Sequence, residues 1–141
     1  MKDKKQIKEL GETMAKVFDP YQPSLAIDID GCVDEAPIFF QILTQLWPGR
    51  VFVISFRDNP EETKAYLDSK RIRCDELILV NSFEEKAEFI KDNGIMVFID
   101  DQPEVLKHVR EQCNVMLFRN GGNFDFEDKK WMFSEKTGKM V

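Results

Sequence analysis

The chain has 141 residues, 43% hydrophobic and 33% charged, which fits one domain able to bury a core without disulfides or structural zinc. Twenty Lys and Arg against 26 Asp and Glu leave a net charge of −6, which repels a phosphate backbone and disfavours general nucleic-acid binding. No apolar run approaches the roughly 20 residues that span a bilayer and residues 1–10 are charged rather than signal-like, so a cytoplasmic protein without a membrane partner is expected.

Residues 3–18 place Ile7, Leu10, Met14, Val17 and Phe18 on one helical face, and a breaker from Asp19-Pro20 to Pro23 ends that helix. Leu25-Ala26-Ile27 reads as a buried strand running into Asp28 and Asp30. Pro37 suits a first helical position, and Ile38, Phe39, Ile42, Leu43 and Leu46 recur at helical spacing until Pro48-Gly49. Val51-Phe52-Val53-Ile54 is a second strand. Asn59-Pro60-Glu61-Glu62 supplies a cap, a first-turn proline and acids at the positive end of the helix dipole, for a helix to about Lys70. Leu77-Ile78-Leu79-Val80 is a third strand, and Ser82-Phe83-Glu84-Glu85 fits a capping box for a helix ending near Asn93-Gly94. Residues 95–99 form a fourth strand ending in Asp100-Asp101. Pro103 then opens a helix with Val105, Leu106 and Val109 inward, and Val115-Met116-Leu117-Phe118 is a fifth strand.

Strands separated by single helices run parallel, so the expected fold is a single Rossmann-like three-layer α/β domain with a sheet of five or slightly more parallel strands and no cap domain. Its core spans about residues 24–118, with the leading helix 3–18 and a tail 119–141 outside. Phe124, Phe126, Trp131, Met132 and Phe133 make the tail too apolar to hang free, and it is expected to pack on the domain or a second subunit. Cys32, Cys74 and Cys113 lack CxxC pairing and His108 is the only histidine, too few ligands for zinc; the cysteines read as core residues and His108 as structural.

In a parallel sheet the residues following each strand gather along one edge, where open α/β sheets keep their sites. That edge collects Asp28, Asp30, Ser55, Asp100 and Asp101, with Lys86 in the first turn of a following helix. Clustered carboxylates require an offsetting cation or raised pKa values. An all-oxygen donor set open to water and phosphate suits Mg²⁺ better than Ca²⁺.

In order and spacing, Asp28-Ile29-Asp30-Gly31-Cys32-Val33, Ser55, Lys86 and Asp100-Asp101 resemble the four motifs of the haloacid dehalogenase-like hydrolases, over about two thirds of the chain. The resemblance implies a Mg²⁺-dependent phosphatase in which Asp28 is the nucleophile, Asp30 the acid and base, and Ser55 and Lys86 bind the phosphoryl group. Metal ligation falls to Asp28, Asp30, Asp100 and Asp101, with Asp100 the preferred direct carboxylate and Asp101 acting through water or as an orienting partner. Many members have threonine where this chain has Cys32, which reads as packing. Arg57 is a candidate contact to substrate phosphate or carboxylate, against the commoner exposed arginine at a helix approach.

Members usually insert a substrate-covering cap after the first motif or between the second and third, and here neither interval has room. An open site implies a small-molecule phosphate with a lid borrowed within a homo-oligomer, or a bulky phosphoprotein. The competing readings are a phosphoacceptor receiver domain, disfavoured because the third strand ends in Val80-Asn81, and a non-catalytic relative that keeps fold and metal.

Overall fold

The computed structural model describes residues 3–18, 23–109, 111 and 113–132, with backbone alone for 11 and 13–18. Five helices, α1 (Lys4–Phe18), α2 (Pro37–Leu46), α3 (Pro60–Ser69), α4 (Phe83–Asp92) and α5 (Pro103–Val109), alternate with β1 (Leu25–Ile27), β2 (Val51–Ser55), β3 (Glu76–Leu79), β4 (Val97–Asp100) and β5 (Asn114–Leu117). A hairpin of β6 (Phe124–Asp125) and β7 (Lys130–Trp131) follows. The five-stranded sheet is parallel throughout, ordered β3-β2-β1-β4-β5. Strand ends differ from the sequence expectation by one or two residues, since apolar runs mark burial rather than hydrogen bonding.

Both faces of the sheet are covered, which explains the uninterrupted apolar runs of β1 and β2. Phe40 of α2 and Leu67 of α3 pack on one face with Leu25, Ile27, Val51, Val53 and Ile99. Ile90 of α4 and Val105, Leu106 and Val109 of α5 pack on the other with Ala26, Phe52, Ile54 and Phe98. The result is the expected single Rossmann-like α/β arrangement, and the connections after β1 and β2 each hold one helix and no cap. Among the described residues no helix is long and apolar enough to cross a membrane.

The local signals act as read. Asn59 Oδ1 accepts from the Glu62 N–H at 3.0 Å to start α3. Ser82 Oγ accepts from the Glu85 N–H at 3.1 Å to start α4, while the Glu85 carboxylate reaches one residue further back than in a standard capping box, to the Asn81 N–H at 2.7 Å.

The rotation of α2 is where pattern and structure part. Ile38 (71%), Phe39 (50%), Ile42 and Leu46 are exposed, whereas Phe40 and Thr44 are fully buried and Leu43 and Trp47 are partly so. A helix reading PIFFQILTQL has almost no polar face to fix which side turns inward. The deciding contacts are tertiary: the Phe40 ring meets Phe118 edge-on at 5.3 Å, and Thr44 Oγ1 donates to the Phe40 carbonyl and accepts from the Arg73 N–H.

At the amino end of the chain, α1 leaves Ile7 and Leu10 exposed, and an open groove of about 680 Å³ lies between it, residues 45–50, Arg73 and Asp75. The side chains of Met14, Val17 and Phe18, the Asp19-Pro20 breaker and Phe133 lie outside the described residues.

The two neighbouring phenylalanines of α2 give a direct check. Phe40→Ala is expected to cost about 3–5 kcal/mol in urea denaturation, against about 1 kcal/mol for Phe39→Ala. Equal losses would place both rings in the core and reverse the observed rotation.

Candidate acidic centre

The site is built where β1 and β4 end side by side. The Asp28 N–H donates to the Ile99 carbonyl at 3.1 Å, so the residue following β1 is locked against β4. The chain then turns sharply through residues 29–33, with Gly31 at φ +84° and its N–H donating to Asp34 Oδ1 at 2.7 Å. Glycine is required at this turn: the backbone is left-handed, and a Cβ would collide with the Asp101 carboxylate.

Lys86 enters from the opposite side of the sheet, in the first turn of α4, and is fully buried. Its ammonium lies 3.2 Å from Asp28 Oδ1 and 2.8 Å from Asp100 Oδ2, and 4.7 Å from the centre of the Phe56 ring. A buried charge needs such partners, because an unpaired ammonium this deep would lose its proton. Here burial works against the charge, but Asp100 and Asp28 outweigh it and hold the Lys86 pKa above its ordinary value.

Asp100 is fully engaged: Oδ2 takes Lys86, and Oδ1 accepts from the Gln102 N–H at 3.0 Å. Asp101 is not. Its Oδ2 accepts from the Trp131 indole at 2.7 Å, while its Oδ1 is buried without a hydrogen-bond partner. Oxygens of Asp28 and Asp101 and the Cys32 sulfur all lie within 4.8 Å of one another.

Asp28, Asp100 and Asp101 contribute three negative charges and Lys86 one positive, so the buried cluster carries two uncompensated charges when fully ionised. Burial, followed by repulsion from Asp100, pushes Asp101 up to about 7. Burial also raises Asp28 well above the carboxylate range; Lys86 opposes the shift, and Asp100, Asp101 and Asp30 reinforce it. Burial first, then Asp28, Asp100 and Asp101, raise the Cys32 thiol well above its ordinary value. Asp28, Cys32 and Asp101 could together hold a metal ion, with the unpartnered Oδ1 of Asp101 among the oxygens on offer, whereas Asp100 and Asp30, also expected as ligands, are engaged by Lys86, the Gln102 N–H and Arg57.

Asp30 turns away from this cluster to the rim. Arg57 donates to it from Nη2 at 2.8 Å and Nε at 3.2 Å, with the guanidinium stacked 4.4 Å from the Tyr66 ring. Their side chains keep 17% and 22% exposure. Ser55 ends β2 fully buried, its Oγ accepting from the Arg57 N–H at 3.1 Å. All the candidate residues thus share one sheet edge, Asp28, Asp100, Asp101 and Lys86 as a buried cluster, Asp30 and Arg57 at the rim.

Three further residues join the site from the tail. Arg119 donates to the Asp101 carbonyl, Asn123 Nδ2 donates to the Gly31 carbonyl at 2.6 Å and the Phe118 carbonyl at 3.2 Å, and Trp131 holds Asp101. The aromatic content of the tail signalled packing but not its target. His108 lies exposed on α5, and the cysteines are free. Comparison with protein-family models gave no match, and no curated protein sequence proved similar to the chain.

The raised Asp101 value has a consequence for stability. Between about pH 4 and 7 the folded chain keeps a proton on Asp101 that the unfolded chain has released, so stability falls as pH rises through that window. In EDTA, thermal melts of wild type are expected to fall from pH 5 to pH 8. Asp101→Asn should follow a shallower slope and melt higher at pH 8; parallel slopes would mean that Asp101 ionises normally.

Proposed function

We propose that this chain is a Mg²⁺-dependent phosphatase that hydrolyses a phosphate monoester through an aspartyl-phosphate. The observation that carries the reading is the buried Asp28–Lys86–Asp100 cluster beside an unpartnered Asp101 oxygen, at the carboxyl edge of a parallel sheet. It agrees with the resemblance of the motifs to haloacid dehalogenase-like hydrolases. Asp28 and Asp101 would hold the cation, which supplies positive charge against the phosphoryl oxygens and the nucleophile.

A carboxylate oxygen of Asp28 attacks phosphorus in line with the ester oxygen, forming a P–O bond as the ester P–O bond breaks. Asp30, which takes up a proton from solvent once the arriving phosphate draws Arg57 away, gives it to the departing alkoxide, then takes one from the water that attacks the aspartyl-phosphate, releasing phosphate and restoring both carboxyl groups. Lys86 offsets charge on Asp28 as the phosphoryl group arrives, and the Ser55 hydroxyl offers it a hydrogen bond.

Arg57 gives this scheme its resting state. With Lys86 and Ser55 fully buried, substrate enters past the rim pair, and an arriving phosphate competes with Asp30 for the guanidinium. That exchange frees Asp30 to face the leaving oxygen. Without a cap, both small phosphometabolites and phosphoprotein side chains have access. The free cysteines suit a reducing compartment, in line with a cytoplasmic enzyme.

Hydrolysis of p-nitrophenyl phosphate tests the proposal. Turnover with Mg²⁺ is expected, abolished by EDTA, and reduced at least about 10³-fold by Asp28→Asn. Turnover that survives Asp28→Asn in the same preparation would remove the nucleophile and the mechanism with it.

A further inference from the structure

Asp101 is only 2% exposed, and its two carboxylate oxygens are treated differently by the fold: Trp131 takes Oδ2 and leaves Oδ1 bare. The indole is not a casual neighbour. It sits on β7, paired with β6, and the adjoining Met132 N–H donates to the Asn123 carbonyl at 2.8 Å. Asn123 is itself fully buried and bonded to the Gly31 carbonyl, and Gly31 lies so close to the Asp101 carboxylate, nearest its Oδ2, that no Cβ would fit. Gly31 and Trp131 thus both meet the carboxylate at its Oδ2 side, leaving Oδ1 as the oxygen without a partner.

Building on the cation centre proposed above, we infer that Trp131 is a positioning residue that sets which divalent cation the centre prefers. By occupying Oδ2 it restricts Asp101 to one-oxygen ligation through Oδ1. Mg²⁺ takes six ligands in a tight octahedron and is commonly held by single carboxylate oxygens; Ca²⁺ takes six to eight at longer distance and gains from a carboxylate offering both oxygens. The indole N–H thus disfavours Ca²⁺ without touching the ion. Trp131 alone can play this part, as the other tryptophan, Trp47, donates to the Pro23 carbonyl at the far end of the sheet.

Calorimetric titration of the full chain with Mg²⁺ and Ca²⁺ separately, for wild type, Trp131→Phe and Trp131→His, tests the inference. Phenylalanine keeps a ring but frees Oδ2; histidine restores an N–H donor. Wild type should prefer Mg²⁺, Trp131→Phe should shift the Ca²⁺/Mg²⁺ affinity ratio toward Ca²⁺ by about tenfold, and Trp131→His should return it toward wild type. Tb³⁺ emission excited through the indole should be strong in wild type and lost in Trp131→Phe, where directly excited Tb³⁺ still reports binding. A ratio unchanged in Trp131→Phe, or a Trp131→His variant that behaves like Trp131→Phe, overturns the role of the indole and leaves the cation centre standing. A wild type that binds neither ion removes the centre itself.

Discussion

The structure turns on one buried ammonium. Lys86 has no exposure, and no chain would place it there unless two carboxylates were already waiting at the ends of β1 and β4. Those carboxylates in turn would repel each other and Asp101 without it. The compensation is incomplete by two charges when the cluster is fully ionised; burial first, and the neighbouring acids after it, raise the pKa values of Asp101 and Asp28, and beside them one Asp101 oxygen lacks a hydrogen-bond partner. Protons settle the charge deficit at low pH. Under the proposed function a divalent ion would cancel it near neutrality, its +2 charge matching the deficit.

The topology makes this arrangement inexpensive to hold. From β1 the chain moves outward through β2 to β3 under α2 and α3, then returns over the other face by α4 to lay β4 against β1. The sheet order therefore reverses direction between β1 and β4, the kind of switch point at whose carboxyl ends open α/β sheets keep their sites. Lys86 arrives on the helix that makes the return, so the residue that neutralises the two acids is carried by the element that brings their strands together.

Much of this was legible in the sequence. Uninterrupted runs such as Val51-Phe52-Val53-Ile54 mark strands buried on both faces, and their alternation with capped helices fixes a parallel sheet, which places Asp28, Ser55, Asp100 and Asp101 on one edge before any coordinate is known. What stayed hidden depends on contacts between distant segments. In α2 the buried Phe40 meets Phe118, 78 positions later, and the buried Thr44 meets the Arg73 N–H, contacts unmarked by any period in the helix. The resemblance makes Asp100 the direct metal carboxylate, yet both its oxygens are bonded and it is Asp101 that keeps a free one, which a pair of adjacent acids does not disclose. Asp100, the last residue of β4, meets Lys86, while Asp101 in the bend beyond it meets the tail through Trp131.

The two arginines flanking the centre show why the unmet charge resides on the β4 side. On the β2 side, Arg57 puts its guanidinium on the carboxylate of Asp30, so that pair is neutral in itself. On the other side, Arg119 spends its hydrogen bond on the backbone carbonyl of Asp101, lies over the Phe124 ring, and keeps a buried Nε without a partner. Its charge is held near the Asp101 side chain but not upon it, and burial lowers its pKa rather than raising it. Trp131, a neutral donor, stands where a second cation would have quenched the acid. A lysine or arginine there would have paired with Asp101; an indole satisfies one oxygen and, under the proposed function, would leave the carboxylate's charge for a cation.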